Sequence, residues 1–152
     1  MAVRPLARPL LLKGVLSVEE AERAAARGVD GLVVSNHGGR QLDSAPAAIA
    51  VLPAIRAAVG EDFVLALDSV VRRGSDVAKA LALGADFVFV GRATLCGVAA
   101  AGEAGASRAI EILADELDRF LAQTGCRNIQ ELRRLEIRAM ADQTHREGRM
   151  DV

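Results

Sequence analysis

The chain has 152 residues, 51% of them apolar and 26% charged, the balance of an ordinary globular domain with one substantial core. Nineteen basic against twenty acidic residues leave a formal charge of -1, which removes any global electrostatic case for nucleic acid or an anionic membrane. No run approaches the ~20 apolar residues of a spanning helix, and the start Met1-Ala-Val-Arg-Pro lacks an apolar signal core. Two cysteines, Cys96 and Cys126, are too few for a disulfide framework or a structural zinc site. On these grounds the expected setting is a reducing cytoplasm, with no membrane and no nucleic acid as partner. With no Trp, no Tyr and four Phe, stacking on aromatic side chains is excluded as the main mode of recognition.

In chain order, residues 9–15 form a nearly continuous apolar run, the pattern of a strand covered on both faces. Ser17 with Glu20 three residues on makes a capping box for a helix that Gly28 ends. A second buried strand is expected over 31–35. A helix over 45–59 carries Ile49, Leu52, Ile55 and Val59 at helical spacing, with Pro53 as a kink or new first turn. A third strand (63–68), a helix over 75–83 before Gly84, a fourth strand (87–91) and the longest helix (107–122, closing near Gly125) follow. One more helix fits 128–135, and 136–152 read as a polar, frayed tail to a domain spanning 1–135. The result is an α/β chain of four consecutive strand-helix units, which implies parallel pairing through right-handed crossovers. An open sheet and part of a closed barrel both fit. A complete eight-unit barrel takes ~250 residues, so this chain matches half of one.

The groups suited to chemistry sit at the strand ends. After the second strand comes Ser35-Asn36-His37-Gly38-Gly39-Arg40-Gln41-Leu42-Asp43. Paired glycines allow a sharp turn and close approach to a ligand. His37 can take a proton near neutrality, and Arg40 can grip a carboxylate with two hydrogen bonds. From spacing alone, a turn whose histidine only caps local backbone fits equally. Lys13 lies inside an apolar run, where an unpaired ammonium is costly, and is expected to reach a polar cavity and an electron-rich ligand atom rather than to snorkel. Asp68 follows the third strand as an acceptor for sugar-like hydroxyls, and the helix start beyond it, with Arg72 or Arg73, suits a phosphate. Gly91-Arg92 repeats the combination of exposed amide and guanidinium after the fourth strand.

The nonapeptide around His37, with Lys13-Gly14, Lys79-Ala80-Leu81-Ala82-Leu83-Gly84-Ala85 and Thr124-Gly125-Cys126, resembles the FMN-dependent 2-hydroxy acid oxidases and dehydrogenases, the family of glycolate oxidase, lactate oxidase and mandelate dehydrogenase. The resemblance runs from Leu10 to Leu132 and corresponds to the C-terminal half of the family's TIM barrel. It implies that His37 removes a proton from the substrate, Arg40 binds the substrate carboxylate, and Lys13 stabilises the reduced flavin near N1 and O2. It further implies that Asp68, Arg72, Gly91 and Arg92 hold the ribityl chain and phosphate of FMN, and that Ser35 approaches the flavin.

Two departures stand out. The family's N-terminal half, with its substrate-contacting tyrosines and the carboxylate that orients the catalytic histidine, has no counterpart here. Val70 stands where relatives place glycine, and a β-branched residue there is expected to weaken FMN binding. Apolar strands at both edges of a half-barrel favour self-association or a separate N-terminal half. Three readings follow: an oxidase or dehydrogenase of a small 2-hydroxy acid, an inactive remnant that at most binds phosphate or FMN, and a subunit completing a barrel with another chain.

Overall fold

The computed structural model describes residues 8–69 and 71–137. Val70 and positions 138–152 of the expected tail lie outside the described residues. Four strands alternate with helices: β1 (Leu11–Val15), α1 (Val18–Ala26), β2 (Gly31–Val34), α2 (Ala48–Val59), β3 (Val64–Leu67), α3 (Gly74–Ala82), β4 (Phe87–Val88), α4 (Arg92–Thr124) and α5 (Ile129–Leu132). The sheet order is β1-β2-β3-β4, with every neighbouring pair parallel. An open doubly wound sheet reverses its strand order at a switch point. Here the order follows the sequence throughout, which is the arrangement of a barrel sector.

The core lies between sheet and helices. Leu32, Val34, Leu65 and Leu67 pack against Ala21 and Ala24 of α1, Leu52 and Ile55 of α2 and Ala80 of α3. On the opposite face the register aligns Lys13, Val33, Ala66 and Phe87 across the four strands. Ser17 Oγ accepts the Glu20 N–H at 3.1 Å, and Gly28 follows the helix at φ +80°, as the capping pattern predicts.

Three expectations are corrected. The edge strands are not covered on both faces: Leu11 and Leu12 on β1 and Phe87 on β4 are exposed, Phe87 by 62%. The last strand is shorter than 87–91, because one further bond from Phe89 N–H to Leu67 O is followed by the turn into α4 at Gly91. Helix α4 begins at Arg92 rather than near Ser107 and breaks at Ala101 and Gly102, the latter at φ +58°. Alanines 93, 99 and 100 supply the helix propensity of its first segment. The two segments meet backbone to backbone, since a Cβ on Gly97 would sit 2.3 Å from Gly105 O.

At the N-terminal ends of β3 and β4 the sequence analysis overlooked an organising charge. The buried Arg56 donates from Nε to Gly84 O (2.9 Å), from Nη1 to Gly60 O (2.6 Å) and Phe63 O (2.7 Å), and from Nη2 to Asp86 Oδ2 (2.8 Å). Asp86 also accepts from Leu65 N–H and Arg133 Nη2. Burial pushes the Asp86 carboxyl up, but the Leu65 amide and the two guanidinium groups outweigh it and hold the group below its ordinary value. A depressed carboxyl contributes stability above its unfolded value and loses it as pH falls through the folded one. Arg56→Met, which takes a donor from four carbonyls and the buried cation from Asp86, is expected to cost about 3–5 kcal/mol in urea unfolding at pH 7. Asp86→Asn is expected to flatten the loss of stability below about pH 4. A loss under about 1 kcal/mol for Arg56→Met would contradict the assigned role.

Candidate functional site

The C-terminal ends of the four strands border one open cavity of about 750 Å³. Lys13, His37, Arg40, Asp68, Arg72, Gly91 and Arg92 line it together, and Ser35 lies buried beneath. Residues singled out over eighty positions of sequence thus converge on one place. Four cations line the cavity, and Asp68 is the one carboxylate among the described lining residues, so the cavity favours anions.

Lys13 and Asp68 also meet each other, with Lys13 Nζ 2.7 Å from Asp68 Oδ2. Ser35 Oγ joins them, donating to Asp68 Oδ2 at 2.8 Å and accepting from Lys13 Nζ at 3.2 Å and from His37 N–H at 3.0 Å. One donor and two acceptor positions exhaust a hydroxyl, which is why a serine survives fully buried there. Burial raises the Asp68 carboxyl, yet hydrogen bonds from Lys13, Ser35 and the Ser69 amide, with the Lys13 charge, hold it below the usual carboxylate value. Asp68 therefore stays ionised through the neutral range.

His37 opens a tight turn, His37–Gly39, in which His37, Gly38 and Gly39 all have positive φ (55°, 68° and 76°). Two glycines make room for this turn. A Cβ on Gly14 would lie 2.7 Å from His37 Nε2, and one on Gly38 would lie 2.9 Å from Arg92 Nη2, the group that donates to Gly38 O at 3.2 Å. Among the described residues no side chain is hydrogen-bonded to the His37 imidazole. The ring and the Arg40 guanidinium both face the cavity.

The phosphate expectation is redrawn. The start of α3 is not an open anion site: Gly74 N–H donates to Glu116 Oε2 at 2.8 Å, and the Arg72 and Arg73 amides donate to Asp76 Oδ2. Arg73 pairs with Glu116 and does not line the cavity, whereas Arg72 does. The cationic end of the cavity is made by Arg72, Gly91 and Arg92. Five lining residues were assigned no role from sequence: Gln41, Ser69, Val71, Phe89 and Leu95. Strand alternation from Phe87 places Phe89 on the cavity face, while nothing local announces Ser69 or Leu95. Ser35→Ala removes the shared hydroxyl and is expected to destabilise the chain by about 1–3 kcal/mol. A change below about 0.5 kcal/mol in urea unfolding would contradict the hub.

Comparison with known proteins identifies what this arrangement is similar to. A family model described as FMN-dependent dehydrogenase matches residues 3–139. A peroxisomal (S)-2-hydroxy-acid oxidase of Oryza sativa subsp. japonica is 48% identical over 134 residues, 88% of this chain and 37% of the relative. The (S)-mandelate dehydrogenase of Pseudomonas putida is 51% identical over 123 residues, 81% of this chain and 31% of the relative. A crystal structure of mandelate oxidase with benzoyl-formic acid superposes with a TM-score of 0.83 at 45% identity, covering 86% of this chain and 39% of that one. The chain thus spans about a third of the relatives it matches, in agreement with a sector of their TIM barrel. The cytoplasmic expectation is overturned, because relatives include peroxisomal oxidases and an (S)-mandelate dehydrogenase described as a monotopic membrane protein. Cysteine count and net charge carry no address, and the absence of a spanning segment does not exclude attachment to one membrane face. Among the described residues no helix is long and apolar enough to cross a membrane.

Proposed function

Because the chain belongs to the FMN-dependent dehydrogenase family, we propose that it carries the proton-accepting, carboxylate-binding and phosphate-holding part of a site at which a small 2-hydroxy acid is oxidised to a 2-oxo acid. The observation that supports this most is the convergence of Lys13, His37, Arg40, Arg72 and Arg92 on one cavity. The donor set suits FMN. Arg72 and Arg92, with the Gly91 backbone between strand and helix, form a cationic end for a phosphate. Asp68 offers acceptors for ribityl hydroxyls, and Lys13 supplies positive charge beside it. A cavity of about 750 Å³ lies within the ~300–1,000 Å³ of ordinary ligand sites.

The reaction removes a proton and a hydride equivalent from the substrate. Bound FMN supplies the acceptor for the hydride equivalent from C2. Arg40 holds the substrate carboxylate by paired, charge-assisted hydrogen bonds, which fixes the hydroxyl toward the imidazole. His37 takes the hydroxyl proton as the carbonyl forms. Lys13, held by Ser35 and Asp68, keeps a cation near the electron-accepting end, where negative charge develops.

The rest of the barrel wall belongs to further polypeptide, whether in the same chain, in a separate N-terminal half or in another copy. The exposed Leu11 and Leu12 at one sheet edge and Phe87 at the other favour such a neighbour. A second reading, a remnant that holds phosphate or FMN without turnover, is favoured by the His37 imidazole, which no side chain among the described residues hydrogen-bonds, since a catalytic histidine needs a group that sets its tautomer. His37→Gln separates the two. On the enzyme reading it slows anaerobic flavin reduction by a 2-hydroxy acid by about 10²–10⁴-fold and leaves the FMN dissociation constant unchanged. Equal reduction rates in variant and wild type would remove the general base. Wild-type protein that binds FMN but is never reduced by any 2-hydroxy acid would establish the remnant.

A further inference from the structure

The turn that carries His37 is a strained device, and its restraint comes partly from outside its own loop. Three successive residues with positive φ, the first a histidine, persist only when their surroundings over-determine them. Two groups act from within the loop: Ser35 Oγ accepts His37 N–H, and Asn36 Oδ1 accepts Gly38 N–H at 3.0 Å. A third comes from the end of β3. Ser69 Oγ accepts the same Gly38 N–H at 3.2 Å and lies 3.4 Å from Ser35 Oγ. Ser69 itself sits at φ +105°, a conformation in which glycine would be less strained. A side chain is kept where none is favoured, and its hydroxyl grips the turn beside His37.

We infer that Ser69 is a positioning residue: its hydroxyl ties the end of β3 to the Gly38 amide and so sets the direction in which the His37 imidazole faces the cavity. It touches no reacting atom in this account and acts through Gly38 on His37. Its value to the reaction rests on the proton-accepting role proposed for His37, but the restraint is a property of the chain alone and can be read without flavin.

The test compares Ser69→Ala with Ser69→Gly in the full, flavin-free chain. Both variants lose the hydroxyl, while only glycine also relieves the positive φ. Three quantities are measured: the thermal midpoint, the exchange rate of the Gly38 amide, and the NMR shifts and titration of the His37 ring. With two histidines in the chain, that ring is readily assigned. The expected result is that Ser69→Gly melts no lower than wild type and yet exchanges the Gly38 amide roughly tenfold faster, with displaced His37 resonances. Ser69→Ala should show the same local changes together with a lower midpoint. A merely structural serine would give local signals that follow stability. Wild-type Gly38 protection and His37 shifts in Ser69→Gly would overturn the inference, whatever becomes of the alanine variant. Failure of FMN to bind or be reduced would instead count against the proposed function and leave these readings untouched.

Discussion

Parallel pairing in sequence order, interrupted only by a register shift between Lys13 and Val15 on β1, is the constraint from which the site follows. Because β1 through β4 pair in sequence order and point the same way, the residues at their C-terminal ends come to one edge of the sheet without any long-range design. Lys13 is in register with Val33, two residues before Ser35, and Ala66 in the same row stands two before Asp68. Side chains two apart share a face, so Ser35 and Asp68 rise on the cavity side next to Lys13. A one-residue slip of β2 would turn Ser35 into the helix-facing core and separate Lys13 from Asp68. The ion pair and its serine bridge are therefore both a product of the register and a penalty against losing it.

The two ends of the sheet divide the work. At the N-terminal ends Arg56 and Asp86 satisfy carbonyls and an amide of neighbouring loops in a closed network, leaving nothing over for a ligand. At the C-terminal ends the cations outnumber the acid, three arginines line the open cavity, and the backbone is held in unfavourable conformations at His37 and Ser69. This is the distribution expected when one face of a barrel supplies stability and the other chemistry. The relatives, of which this chain covers about a third, are correspondingly longer.

Much of this was legible in the residues themselves. Polar side chains interrupting apolar runs at Lys13, Ser35 and Asp68, and the glycines beside His37 and Arg92, identified the strand ends and the cavity before any coordinates. What escaped depends on contacts between distant segments. No local pattern reveals that Lys13 and Asp68 neutralise each other, since their meeting is fixed by three strands in register. No sequence pattern marks Arg56 for burial, and only the carbonyls it meets explain it. The start of α3 has the pattern of a free anion site, but Glu116, forty-two residues on, occupies its Gly74 amide. The first segment of α4 was hidden by glycines 91, 97, 102 and 105, two of which serve close helix contact rather than chain breaking.

On the proposed function, the cationic end formed by Arg72, Gly91 and Arg92 holds the phosphate of FMN. This is tested most directly by titrating the purified chain with FMN and with riboflavin, which lacks only the phosphate, and following bound flavin by its visible spectrum. The account predicts that FMN binds at least about tenfold more tightly than riboflavin, and that Arg92→Ala abolishes the difference. Equal affinity for the two flavins, or no retention of FMN at any concentration tested, would contradict it.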